Sequence, residues 1–208
     1  ITINKCAVTA TWPTTTSFVY DGDVHSVTAE IRNVVTGDSV IFTYTGTTSA
    51  TNVGSYKAII SGLSGTKASN YSLPSNTTQA WEITDATIAY TATGYTGTYD
   101  GNAHGGTVKV TTPATGATVK FGTVPGEYNL TTCPTVTNVS DSKTVYYQIT
   151  APNYETVTGS FVLTVNKRVV TATWPTTTSF VYDGNSHSVT ATIGNVVTGD
   201  SVAFTYTG

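Results

Sequence analysis

One short pattern, written three times, limits what this chain can become. Phe18-Val19-Tyr20-Asp21-Gly22-Asp23-Val24-His25 returns as Phe180-Val181-Tyr182-Asp183-Gly184-Asn185-Ser186-His187, and in looser form as Thr98-Tyr99-Asp100-Gly101-Asn102-Ala103-His104. Each copy approaches through apolar or β-branched residues, passes an Asp-Gly pair that tolerates positive φ, and leaves through an alternating stretch. That is how a turn between two strands reads. The copies stand about 80 residues apart, the spacing of tandem modules rather than of solenoid repeats, which recur every 20 to 50 residues or so. The 208-residue chain is long enough for two independent cores of that size, each at the small end of domains that fold unaided.

Composition enters where strand must be told from helix. Only 10% of residues are charged, there is no Met, and Tyr alone supplies 13 positions. Thr, Val, Tyr and Ile fit a pleated surface, while the Glu, Lys and Arg that build helices are scarce, so the expected class is all-β. A net charge of −3 offers no basic field to a phosphate backbone, and nucleic acid is a poor partner. No stretch approaches about 20 uninterrupted apolar residues, so membrane insertion is not expected.

The repeats also sort faces. Residues 1–46 return as 163–208 with a few substitutions: Ile41 becomes Ala203, Glu30 becomes Thr192 and Arg32 becomes Gly194, while Val40, Phe42, Tyr44, Val27, Ala29 and Ile31 recur. Side chains alternate across a strand, so the recurring set points inward and the varying set outward. By the same alternation Tyr56, Ala58 and Ile60 share a face, as do Trp81 and Ile83. Between them Gly62–Asn76 reads as a surface loop. The expected modules are 1–85, 86–167 and a partial third, 168–208. In the second, strands are expected at Thr107–Thr111, Ala117–Phe121, Asp141–Ile149 and Ser160–Val165, with Asn153-Tyr154 at the place of Asn70-Tyr71. Asp85 and Asn166-Lys167 leave only short joints, which predicts a semi-rigid rod. The chain starts and stops within repeats, as a piece of a longer array does. Residues 168–208 hold half a module and cannot bury a core alone, so they are expected to be disordered or completed by strand exchange with another copy.

Candidate chemistry is sparse. His25, His104 and His187 each follow the Tyr of their turn by the same interval, with Asp21, Asp100 and Asp183 beside them. A metal site needs three or four convergent ligands and each module supplies two, so the favoured reading is an Asp that bonds local amides and a His that caps a strand edge. There is no Gly-X-Ser-X-Gly elbow, phosphate loop or EF-hand spacing, and no catalytic, cofactor or metal residue is assigned. The protein is expected not to be an enzyme. Cys6 and Cys133 fall in different modules, and Arg168 replaces Cys6 on recurrence, which favours two free thiols over a bridge. Sequons stand at Asn70, Asn76, Asn129 and Asn138. Lys57, Lys109 and Lys120 alternate with apolar neighbours and should point outward, away from any buried carboxylate that could promote an amide crosslink. Trp12 and Trp174 could stack on sugar rings, but Trp in a small β-domain, like Tyr20, Tyr44 and Tyr56 in their strand patterns, is expected in the core.

The Tyr-Asp-Gly-X-X-His stretch, taken with Thr51-Asn52-Val53-Gly54-Ser55-Tyr56 and the Asn-Tyr pair, resembles the MBG or YDG-type repeats of large bacterial surface proteins. The second module resembles the same group through Tyr99 to His104, Thr144-Val145-Tyr146-Tyr147 and Ala151-Pro152-Asn153-Tyr154. It departs by carrying Thr93-Gly94-Tyr95-Thr96-Gly97 where the first has Trp12-Pro13-Thr14-Thr15-Thr16. The resemblance implies tandem immunoglobulin-like β-sandwich modules in an extracellular, cell-wall-attached adhesin, where the chain serves as a stalk or spacer beside neighbouring repeats. The alternative is an adhesion module that binds host glycan or matrix protein through loops and exposed aromatics, with its ligand residues unassigned.

Overall fold

A computed structural model describes residues 1–207; Gly208, the last residue of the expected third segment, lies outside them. Among the described residues the regular structure is strand, with two short 3₁₀ turns, Ala68–Asn70 and Val139–Asp141, and no α-helix. The all-β class expected from Thr, Val, Tyr and Ile is the class observed.

The first repeat contains β1 (Cys6–Ala7), β2 (Thr9–Thr11), β3 (Ser17–Val19), β4 (His25–Ser26), β5 (Glu30–Arg32), β6 (Ile41–Gly46), β7 (Ser49–Ala50), β8 (Gly54–Ser64), β9 (Tyr71–Ser72) and β10 (Thr78–Thr84). A four-stranded sheet runs in the order β3, β10, β8, β6. Its β10–β8 and β8–β6 pairs are antiparallel, whereas β3 joins β10 in parallel, with Phe18 opposite Ile83. Three two-stranded ladders complete the repeat: β2–β5 and β4–β7 antiparallel, and β1–β9 parallel.

The alternation read from the repeats places the core. Val40 and Phe42 are buried while Ile41 between them is 59% exposed. Val8, Ala10, Val40, Phe42, Ile60 and Tyr71 form one apolar cluster, and Val27, Trp81 and Ile83 form another, with the half-buried Trp12 packed against both. Each fully buried aliphatic or aromatic side chain contributes about 1.5–3 kcal/mol. Tyr20, Tyr44 and Tyr56 are half-buried at the margin of these clusters.

Two local expectations need correction. Gly62–Asn76 is not simply a surface loop: its first residues continue β8, and Tyr71 is only 3% exposed. The Gly, Ser and Asn around it turn the chain so that β9 can lie along β1, and the burial of one aromatic residue anchors the excursion. The Asp-Gly turn does join two strands, but β3 and β4 do not pair with each other. β3 bonds to β10 and β4 to β7, so the turn carries the chain from one sheet to another.

The second repeat contains β11 (Ala89–Thr93), β12 (Tyr95–Thr98), β13 (His104–Gly105), β14 (Thr107–Thr112), β15 (Thr118–Gly122), β16 (Thr135–Val136), β17 (Lys143–Thr150) and β18 (Val157–Asn166). Its four-stranded sheet has the order β12, β18, β17, β15, the order of β3, β10, β8, β6 under new numbers, and again its first pair is parallel. β11–β14 and β13–β16 stand where β2–β5 and β4–β7 do. Val145, Tyr147 and Ile149 of β17 and Leu163 and Val165 of β18 are buried. A parallel bridge between Ala86 and Tyr154 takes the place of β1–β9.

The chain divides into two compact units that do not coincide with the repeats. One comprises Ile1–Ala89 with Thr111–Thr118 and Thr150–Val157; the other comprises Tyr90–Val110, Val119–Ile149 and the chain from Thr158 onward. Within the first unit, Asn153, at φ 65°, accepts the Val53 N–H through Oδ1 at 2.9 Å and donates from Nδ2 to Asn52 at 3.1 Å. Tyr154 meets Tyr20 edge-on at 5.6 Å.

Residues 168–207 of the second unit form β19 (Thr171–Thr173) and β20 (Thr192–Gly194), paired as β2 and β5 are, with Ala172 opposite Ile193 where Ala10 faces Ile31. No residue of the segment is buried. Trp174, Phe180, Val202 and Tyr206, copies of residues at or in the first repeat's core, are about half exposed.

Candidate functional site

The recurring turn brings an Asp and a His together in each of its three copies. Gly22, Gly101 and Gly184 have φ of 88°, 81° and 81°, a region open to glycine at little cost, and no atom stands near the Cβ position at Gly22 or Gly184. At Gly22 and Gly184 glycine is there for its backbone alone, whereas at Gly101 a Cβ would also crowd Val197. The preceding Asp then folds its carboxylate over the turn: Oδ1 of Asp21, Asp100 and Asp183 accepts the N–H of Asp23, Asn102 and Asn185, each at 2.9 Å. The same oxygen meets Nε2 of His25, His104 and His187 at 3.0, 2.9 and 2.9 Å.

Each imidazole lies on an aromatic ring. Phe18 stacks on His25 at 4.4 Å, Phe180 on His187 at 4.5 Å, and Tyr95 on His104 at 4.1 Å. The second repeat reaches this stack by a different residue. Gly97 stands where Phe18 would be, and Tyr95, two residues earlier on the same strand face, lays its ring across it, so that a Cβ at Gly97 would collide with the Tyr95 hydroxyl. The signal was present in the sequence as Tyr95-Thr96-Gly97, a large residue and an empty place at a two-residue interval.

These contacts set the ionisation of the acids. The hydrogen bond from His104, followed by the Asn102 amide, lowers Asp100 from 3.8 to about 2. Asp21 and Asp183 are lowered first by the amides of Asp23 and Asn185, with burial opposing and the imidazole adding to the effect. The carboxylate is held ionised by groups that belong to the turn itself. Among the described residues no group of three or more His, Cys, Asp or Glu side chains converges to hold a metal ion. The chemistry available is a two-residue Asp–His pair stacked on an aromatic ring, a brace for the strand crossing.

The remaining candidates are dispersed. Trp12 donates from Nε1 to the Asn76 carbonyl at 3.0 Å and meets Tyr44 edge-on, as a core-margin residue does; Trp174 meets Tyr206 in the same way but is 56% exposed. Lys57, Lys109 and Lys120 are exposed. Cys6 and Cys133 are free thiols, and burial pushes the Cys133 thiol up. The four sequon asparagines are exposed as residues, although Asn76 uses its side-chain amide to bond the Ala10 carbonyl and Asn138 caps a 3₁₀ turn through Asp141.

One polar site was missed in the sequence reading. The Tyr71 hydroxyl donates to Asp38 at 2.6 Å and accepts the Val35 N–H at 3.0 Å, and the carboxylate raises the phenol above its ordinary value, with burial adding to it. Asp38 and Tyr71 are far apart in the chain, and nothing in the local pattern of either points to the other.

The family profile described as the YDG domain matches residues 4–79, the stretch that carries the first turn and the whole first apolar cluster with Tyr71, and ends before Trp81 and Ile83 of the second. No curated protein matches the chain.

Proposed function

We propose that the chain is a structural segment of a bacterial cell-surface adhesin: tandem immunoglobulin-like modules that hold a binding region away from the wall. The observation that carries this reading is where variation falls between copies. Glu30, Arg32 and Ile41 are exposed and change on recurrence, whereas the buried residues and the Asp–His turn return. The substitutions between these copies spare every buried position and fall on exposed or half-buried ones, as suits a spacer whose task is to fold and persist. The YDG-domain match supports the module type over residues 4–79, and extracellular placement follows from the same proposal.

The test is a screen of the whole chain against arrayed glycans and immobilised host-matrix proteins. A spacer shows no saturable binding. Saturable binding that disappears on substituting one exposed loop aromatic would overturn the spacer in favour of direct adhesion.

A further inference from the structure

The two repeats use the Asn-Tyr pair differently. Asn70 ends a 3₁₀ turn and Tyr71 is buried in its own repeat, whereas Asn153 stands at φ 65° and, with Tyr154, meets residues of the first repeat. The left-handed region is unfavourable for a residue with a Cβ, though least so for Asn, and both ends of the Asn153 side chain are engaged to hold it there. Oδ1 accepts the Val53 N–H at 2.9 Å, and Nδ2 donates to Asn52 Oδ1 at 3.1 Å. The Asn153 carbonyl accepts the Ala86 N–H at 3.0 Å, and the Ala86 carbonyl accepts the Glu155 N–H at 2.9 Å. The residue that opens the second repeat is thus bonded through both its backbone groups, as an ordered bridge and not a free linker.

The receiving side is equally built. Tyr56 donates its hydroxyl to the Asn52 carbonyl at 2.6 Å and lies against Trp81 at 4.7 Å, while the Tyr20 N–H is tied to the Thr84 carbonyl at 2.9 Å. Tyr20, Val53 and Tyr56 all pack against Val27, Trp81 and Ile83, so the surface that meets Asn153 and Tyr154 is the margin of the first repeat's second apolar cluster. All of these residues lie within the first compact unit, which takes in Thr150–Val157 of the second repeat.

We propose that Tyr20, Asn52 and Val53 are a docking surface for the Asn-Tyr corner of the following repeat, and that this clasp makes each of the two repeats more stable while the other is folded. Chemistry specifies the occupant. An amide side chain offers an acceptor to the Val53 N–H and a donor to the Asn52 oxygen at once, and the aromatic ring next to it meets Tyr20 edge-on at 5.6 Å. The clasp serves a spacer or an adhesion module alike, and its test needs no ligand.

The experiment is hydrogen exchange on the full chain, read at the slowest amides of β10 in the first repeat and of β18 in the second. Asn153→Gly keeps the left-handed backbone and removes both side-chain bonds. It should speed exchange in β10 by about tenfold, the effect of losing two hydrogen bonds, although the substitution lies in the second repeat. Asn52→Ala removes one of those bonds from the other side and should speed exchange in β18 by a smaller factor, since coupling is reciprocal. The double variant should add little to Asn153→Gly alone. The proposal is overturned if each substitution acts only within the repeat that carries it, if neither changes exchange, or if the two effects simply add. Should Asn153→Gly prevent folding, the response of β18 to Asn52→Ala decides the matter by itself.

Discussion

Residues 6–45 and 168–207 carry nearly one sequence and differ in burial. The Asp–His pair, the positive-φ Asn33 and Asn195, and the 2.6 Å bond from each of these asparagines to the backbone carbonyl of residue 7 or 169 recur. So does the clamp in which the Tyr44 or Tyr206 hydroxyl accepts the N–H of Ala29 or Ala191, at 2.9 and 3.0 Å. Burial does not recur: Val40 is 5% exposed and Val202 48%. The difference separates two kinds of information. Turns, caps and the small ladder are specified by residues within the segment, while the dry interior depends on β8 and β10, which only the first copy has alongside it.

Paired substitutions test that separation, and the largest effect should come from the core. Phe42→Ala is expected to destabilise the first repeat by about 3–5 kcal/mol in urea unfolding, and Phe204→Ala by under about 1 kcal/mol, because Phe204 lacks the opposing sheet. Equal losses would mean that the third segment has a core of its own. Next comes the turn: Gly22→Ala forces an L-residue into the left-handed region at a cost of about 1–2 kcal/mol, measurable as a lowered unfolding midpoint. Acid should follow. Asp100 titrates at about 2 when folded, below its ordinary 3.8, so its ionised form stabilises the fold above the unfolded value, and that contribution is lost as pH falls from about 4 towards 2. Melting temperatures recorded across that window should fall, and Asp100→Asn should flatten the dependence; an unchanged slope would show that the His104 contact does not matter to folding. The smallest effect belongs to Ile41→Ala, the change the chain itself makes at Ala203. Ile41 is largely exposed, and the shift should stay within about 0.5 kcal/mol.

What was legible in the sequence follows the same division. Val40, Ile41 and Phe42 could be assigned to faces because the chain tests Ile41 against Ala203, and the strands around Val145 and Leu163 were marked by their alternation. The Asp–Gly turn was legible down to its glycine. Tyr71 was not, because Gly, Ser and Asn surround it and its partner Asp38 lies on a distant turn. Nor was the pairing of β3 with β10, since the residues flanking Tyr20-Asp21-Gly22 suit either partner and only distant strands decide between them. The place of Tyr95 over Gly97 was signalled only by their two-residue interval, and using that signal required knowing that the ring on His25 comes from Phe18.

The parallel union of β3 with β10 has a mechanical consequence. Backbone bonds tie Glu82 to Thr16 and Tyr20 to Thr84, joining the early part of the first repeat to its last strand, with both strands running the same way. Tension drawn backwards on the chain entering β3 and forwards on the chain leaving β10 slides the two strands past one another, so that the bonds bear the load together in shear instead of opening one after another like a zip. β12 and β18 repeat the arrangement. Each four-stranded sheet is fastened so that such a pull loads its parallel pair in shear.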